Sequence, residues 1–330
     1  MAPSKSSLRL RRMMRRLRCY VGGYTSYMLP RVFFRRDVMK AVRHFAPEEQ
    51  ADIMSRADYY CRVYPPVDLP ESESISLGEY RFPYGKKKKL TTYFFDLFSI
   101  IKHFPPHLRM RYLFGDVTDE QPVPTFVKSR PVHRDGTTSN SVVLKLNAAR
   151  HYFLVKDETP FREKRDMLVS RNVVQQPHRK RFVDMWQSHP LCDIGQTNAD
   201  CDPGCEYRKR PYMPIPEQLK YKFIACIEGN DVATNLKWVM ASNSVAVMPR
   251  PTYETWFMEG KLIGGIHYIE IKPDFSDLIE KLEYYIARPE EAEAIVRNAN
   301  AYVRQFMNQD KEHAIGMLTA MKYFKLTNQL

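Results

Sequence analysis

Residues 221–271 read YKFIACIEGNDVATNLKWVMASNSVAVMPRPTYETWFMEGKLIGGIHYIEI. The apolar run Phe223–Ile227 meets a turn at Gly229-Asn230-Asp231. A helical pattern follows, with Leu236, Val239 and Met240 on one face. A second apolar run, Ser244–Met248, stops at Pro249. Strand, loop, helix and strand in this order are the repeating unit of a parallel sheet. Ligands of such sheets bind at the carboxyl ends of strands, beside helix N-termini. The loop formed by Gly229, Asn230, Asp231, Val232, Ala233, Thr234 and Asn235 is therefore where a phosphate-bearing ligand is expected, with backbone N–H groups pointing at it.

The same block resembles glycosyltransferase family 90, the protein O-glucosyltransferase and capsule-associated xylosyltransferase family. That family has a bacterial branch associated with lipopolysaccharide sugars. The matching words are EGNDVATNLKW (residues 228–238), ETWFMEGKL (254–262) and HYIEIKPDFSDL (267–278), with their spacing kept. The resemblance runs from Tyr80 to Tyr302. It implies two Rossmann-like α/β domains facing a cleft, the GT-B arrangement, and transfer of a sugar from a sugar nucleotide with inversion. The pattern along the chain points to the same class, two α/β domains with a helical C-terminal segment.

A chain of 330 residues with 44% apolar and 12% aromatic residues can bury a large core and hold two domains. Its net charge is +13, and the ten Lys or Arg between Met1 and Arg36, with no acid among them, leave only +3 for the rest. The basic excess thus belongs to an arm and is not a whole-surface nucleic-acid footprint. In the arm arginines alternate with Leu8, Leu10, Met13, Met14 and Leu17, and later Phe33 and Phe34. At helical spacing this suits an anionic membrane surface. A disordered tail and a mitochondrial-type targeting segment are the alternatives. No run is long enough to span a bilayer and none reads as a signal peptide. The expected place is cytoplasmic, peripheral on the inner face of a bacterial cytoplasmic membrane. Cys192, Cys201 and Cys205, even with His189 nearby, fit no standard zinc spacing. Without a secretory signal, a disulfide framework is not expected.

The expected division is an arm over 1–45, an acceptor-side α/β domain over 46–158, a donor-binding α/β domain over 159–297, and C-terminal helices over 298–330 packing back toward the first domain. A helix is expected over Ala46–Tyr64, stopped by Pro65 and Pro66, and another over Thr91–Phe104. Tyr80–Phe82, Arg109–Phe114, Ser141–Leu146 and His151–Val155 read as strands. Arg162–Met167 reads as helical and Leu168-Val169 as a short strand. Cys192–Pro216 reads as a long irregular excursion. Ser276 is expected to cap a helix through Leu278, Leu282 and Tyr285, Pro289 to start another, and Asn298–Phe324 to be a long terminal helix.

Glycosyl transfer needs a stabilised leaving diphosphate, a base for the acceptor hydroxyl, and sugars held in line. Asp200-Cys201-Asp202 has the letters of a metal-binding Asp-x-Asp but sits in the Pro-rich excursion, so no metal and no cofactor is expected. Charge must then come from side chains and helix N-termini. Pro177 fits a first helical position, and His178, Arg179, Lys180 and Arg181 follow it. Cations there oppose the helix dipole unless an anion sits beside them; a solvated face backed by Phe182, Met185 and Trp186 is the other reading. The resemblance implies that Arg179 contacts the donor. It also aligns Arg171-Asn172-Val173-Val174 with an Arg-Gly-Ser-Arg run of animal members, placing Arg171 and Val173 in the donor set, and it sets Asn235 where those members carry arginine.

The base should be a carboxylate. Asp116 follows a strand-like run and Gly115, which suits a strand's carboxyl end, and in the family an Asp ahead of a proline-containing loop acts as base. Asp119 competes, and either could merely cap its loop. Lys128, Arg130, Lys145, Arg150 and Glu254 are candidate acceptor or donor contacts, or ordinary surface charge. The expected activity is an inverting, metal-independent glycosyltransferase. It moves a hexose or pentose from a UDP-sugar to a hydroxyl of a lipopolysaccharide core or related glycan, with an anionic membrane surface as partner and no nucleic acid. The alternative is a basic membrane- or nucleic-acid-binding protein without catalytic activity.

Overall fold

A computed structural model describes residues 20–34, 37–82, 91–133, 137–198 and 204–330. Residues 1–19, the Lys86–Lys89 run and Asp200-Cys201-Asp202 lie outside the described residues. The chain forms two compact units. Unit 2 comprises Tyr152–Thr252 and Lys261–Gln305, and unit 1 the residues up to His151 with Tyr253–Gly260 and Phe306–Leu330.

Unit 2 is built on five strands: β1 (Arg165–Asn172), β2 (Cys192–Gln196), β3 (Tyr221–Ala225), β4 (Val245–Met248) and β5 (Ile269–Glu270). They lie in the order β2-β1-β3-β4-β5, and every neighbouring pair is parallel. This is a doubly wound order with its switch point between β1 and β3. β3 and β4 are buried along their whole length, as parallel strands covered on both faces must be. Flanking helices include α1 (Pro177–Trp186), α2 (Leu236–Met240), α3 (Leu278–Ala287) and α4 (Pro289–Arg304). Phe182 and Val183 of α1, Leu278 and Leu282 of α3, and Ala292, Ile295 and Val296 of α4 join Leu168, Phe223 and Val247 in one core. Each large side chain fully buried there contributes about 1.5–3 kcal/mol.

Unit 1 carries a three-stranded parallel sheet of Tyr112–Leu113, Thr125–Val127 and Ser141–Val143, in that order. Its helices include Val38–Arg43, Pro47–Tyr60, Thr91–Ile101 and Gln309–Leu326, the last packed against the other three. Tyr253–Thr255 adds an antiparallel strand to Ser129–Pro131. Trp256 is fully buried, stacks on Tyr60 at 3.9 Å, and donates its indole N–H to Glu312 Oε2 at 2.6 Å. Glu312 Oε1 lies 2.6 Å from Arg56 Nη1, an ion pair out of contact with water. The segment YETWFMEG (Tyr253–Gly260) thus belongs to unit 1, although its sequence neighbours on both sides belong to unit 2.

Several expected elements differ. The Arg162–Met167 helix is absent; β1 starts at Arg165 and bulges between Arg165 and Leu168 to keep register with β3. The first five residues of the Cys192–Pro216 excursion form the edge strand β2. No strand covers 151–155, where His151 instead ends a helical turn, Ala148–His151. Tyr80 closes a 3₁₀ turn that Ser76 and Glu79 cap reciprocally, so it starts no strand. Asp277, not Ser276, is the N-cap of α3; the Ser276 hydroxyl donates to Asp274. The terminal helix is broken after Arg304, and Asn308 restarts it by accepting from the N–H groups of Asp310 and Lys311.

Candidate active site

At the switch point the chain leaves β1 through Val173 and re-enters helix at α1, while the loop after β3 runs from Cys226 to Asn235. Pro177 occupies the first turn of α1, where its missing N–H is no loss. The first turn holds no acid. Arg179 turns back from it and is fixed by three carbonyls. Nε donates to Glu228 O at 2.8 Å, Nη1 to Val173 O at 2.8 Å and Nη2 to Ile227 O at 2.7 Å. His178 Nε2 also donates to Glu228 O, at 2.8 Å, and Gln176 Nε2 to Asn230 Oδ1, at 2.8 Å. Burial lowers the Arg179 pKa to about 10, against the raising influence of Asp231 and Glu228. A guanidinium remains charged at that value at neutral pH.

Among the described residues no carboxylate lies within ion-pair distance of Arg179, and three of its five N–H donors are engaged. A partly desolvated cation whose hydrogen bonds go to carbonyls keeps donors for an anion, and the planar fork suits phosphate. Gly229 sits against it, since a Cβ there would meet Arg179 Nη2 at 3.3 Å. Asn235 donates from Nδ2 to Ala225 O at 2.9 Å and so closes the end of β3. Within the loop, Asp231, Val232 and Ala233 are buried. Thr252 and Glu228 add a link that their separation in sequence hides: the Thr252 N–H and hydroxyl both donate to the Glu228 carboxylate. α2 has only five residues, so little helix dipole accumulates at its start and the expected contribution of that N-terminus is small.

Arg171 faces elsewhere. Its Nη1 donates to Asp193 O at 2.7 Å and its Nη2 to Asp193 Oδ1 at 2.5 Å, tying β1 to β2. Burial alone would raise the Asp193 carboxyl; the Tyr221 hydroxyl and Arg171 outweigh it and hold the pKa below the usual range. Val173 is exposed through its side chain and reaches the site only through its carbonyl.

In unit 1, Asp116 follows Gly115, whose φ of 114° suits glycine and turns the chain just past Leu113. Lys128 Nζ, buried at the end of the next strand, donates to Asp116 Oδ1 at 2.5 Å. The carboxylate side chain is 35% exposed. Asp119 is an exposed loop residue that accepts from the Thr118 hydroxyl and, by its carbonyl, from Gln121. Arg130 is fully buried. It donates to Glu254 Oε1 at 2.8 Å and to the carbonyls of Tyr59, Tyr60 and Ser141. Glu254, equally buried, also accepts from the Tyr59 hydroxyl. These two hold the strand Tyr253–Thr255 in place and are not exposed to a ligand. Lys145 donates to Glu312 at 3.1 Å, and Arg150 is exposed on the turn Ala148–His151.

Cys192 is a buried free thiol, pushed up to about 12 by burial, whereas Cys205 is disulfide-bonded. Among the described residues no group of three or more His, Cys, Asp or Glu is placed to hold a metal ion, and no helix is long and apolar enough to cross a membrane.

Residues 148–327 match the family described as Glycosyl transferase family 90. The chain is 39% identical over 314 residues to the O-glucosyltransferase LpsA of Dichelobacter nodosus, covering 94% of this chain and 96% of that one. It is 26% identical over 119 residues to protein O-glucosyltransferase 3 of Rattus norvegicus, covering 36% of this chain and 23% of that protein. The switch-point site lies inside the family match and Asp116 before it. With a family match over more than half its length and a near full-length relative, this chain belongs to glycosyl transferase family 90 and is a glycosyltransferase.

Proposed function

We propose that the enzyme moves a hexose or pentose from a UDP-sugar to a hydroxyl of a lipopolysaccharide core or related glycan, with inversion and without a metal ion. Unit 2 is the donor half of a GT-B arrangement in this reading, and unit 1 supplies the base. The observation that carries it is the Arg179 guanidinium, fixed by three carbonyls at the switch point with no carboxylate at ion-pair distance among the described residues. The relatives' names, O-glucosyltransferases both, favour glucose among the hexoses.

In the reaction, the acceptor oxygen attacks the anomeric carbon from the face opposite the diphosphate. The bond from that carbon to the diphosphate oxygen breaks, and the leaving group keeps the electron pair. The Arg179 charge stabilises the diphosphate as it leaves, assisted by backbone N–H groups of the loop Gly229–Asn235. Val173 and Arg171 position this site, the first as an anchor for Arg179 and the second by joining β1 to β2. Asp116 takes the acceptor's proton on Oδ2 while Lys128 holds Oδ1. The acceptor is lipid-linked and the basic N-terminal arm keeps the enzyme at the inner face of the cytoplasmic membrane.

Asp116→Asn tests the base. Turnover should fall about 10²–10⁴-fold while UDP affinity is unchanged. Near-normal turnover in that variant rules out Asp116 as the base.

A further inference from the structure

Residues 20–28 are helical, and one side of this helix is packed on the helix Thr91–Ile101. Tyr24 meets Phe95 edge-on at 4.8 Å; Tyr27 meets Phe94 at 5.4 Å and Phe98 at 5.2 Å. The segment that follows leaves its apolar side chains outside: Met28 is 83% exposed, Leu29 51%, Val32 64% and Phe33 73%. Four large apolar groups so close in sequence and so exposed mark an interaction surface.

Arg31 lies in their midst, its guanidinium 5.4 Å from the centre of the Phe98 ring. Both terminal nitrogens are buried, and among the described residues neither has a hydrogen-bond partner. Burial, and next the nearby charge of Arg81, lower its pKa. Neither arginine forms an ion pair among the described residues. Lys102 adds a third cation, donating to Ser26 Oγ at 2.7 Å and lying 4.1 Å from the centre of the Phe34 ring. Buried donors without partners are costly, and a phosphate oxygen relieves that cost with a charge-assisted bond. Apolar tips beside Arg31 and Arg81 are what an anionic bilayer surface accommodates, the tips among the acyl chains and the cations at the headgroups.

We propose that Arg31 and Arg81 bind the phosphate of an anionic phospholipid while Met28, Leu29, Val32 and Phe33 enter the membrane interface. Unit 1 then docks on the membrane through folded residues and not through the arm alone. This rests on the membrane reading above, and it is independent of Arg179 and Asp116.

The test uses the full chain and sedimentation with phosphatidylcholine vesicles, with and without phosphatidylglycerol. Two variants are compared with the parent, R31Q/R81Q and M28S/F33S. Each is checked for unfolding temperature and for thermal stabilisation by UDP. At about fivefold per surface charge, R31Q/R81Q should bind phosphatidylglycerol vesicles about 25-fold more weakly. M28S/F33S should lose about tenfold or more. Both should keep the parent's UDP stabilisation. If R31Q/R81Q fails to fold, the exposed pair M28S/F33S decides. Unchanged vesicle binding in the variants overturns the proposal. So does stabilisation of the parent by inorganic phosphate that R31Q/R81Q loses while its vesicle binding persists, since the site would then serve a free phosphate. Failure of the donor reading shows separately, as absence of UDP stabilisation in the parent.

Discussion

Arg179 stands out among single residues because its position has been fixed before any ligand arrives. Lysine could keep the charge but not the three carbonyl bonds, so Arg179→Lys should weaken UDP binding at least tenfold while changing unfolding temperature little. A Kd within twofold of the parent's, by calorimetry, contradicts this. Asp96 carries the clearest pH effect. It accepts from the Ala148 N–H at 2.8 Å, and burial raises its pKa to about 7. The fold therefore favours the neutral acid. That contribution is fully present below the ordinary value of about 3.9 and is lost as pH rises through 7. Asp96→Asn should gain unfolding temperature relative to the parent between pH 5 and pH 8; a constant difference between the two proteins would refute it. Single residues were unevenly legible. The cations after Pro177 left an anion site and a solvated face both open on chemistry alone, and only the family resemblance singled out Arg179. Arg130 and Glu254 did not reveal themselves, because they are 124 positions apart and sequence carries no sign that they are buried together.

The loop after β3 depends on one glycine. Gly229→Ala would place a methyl 3.3 Å from Arg179 Nη2, and three carbonyls keep that group from moving away. The variant should bind UDP several-fold more weakly, with unfolding temperature nearly unchanged; equal affinity in a direct titration would count against a tight site. The helix Gln309–Leu326 depends on Glu312, which receives Arg56, Lys145 and the Trp256 indole. Glu312→Ala leaves the Arg56 charge buried, and the cost should be about 3–5 kcal/mol in urea unfolding. A loss below 1 kcal/mol would show the network to be dispensable. β3, α2 and β4 could be read from the sequence because continuous apolar runs and a helical stripe leave few alternatives. β2 could not, since CDIGQ mixes polar and apolar residues as an edge strand can. β1 was partly hidden by the charges of Arg165 and Asp166, which sit at its exposed end.

For the whole molecule, the α/β class and the parallel pairing of β3 with β4 follow from patterns a sequence carries. Membership of units does not. Tyr253–Gly260 belongs to unit 1 because Trp256 stacks on Tyr60 and donates to Glu312, contacts that only the folded chain brings together. The central claim is that a fixed cation at the switch point of unit 2 holds the diphosphate of the donor without a metal ion. The most direct measurement is the unfolding temperature with UDP, GDP, CMP and ADP, each with and without EDTA, in the parent and in Arg179→Lys. Ligands that bind only the folded protein raise it by mass action. Stabilisation selective for UDP, unaffected by EDTA and lost in Arg179→Lys, is the predicted result. Stabilisation that EDTA abolishes, or that Arg179→Lys retains in full, would contradict it.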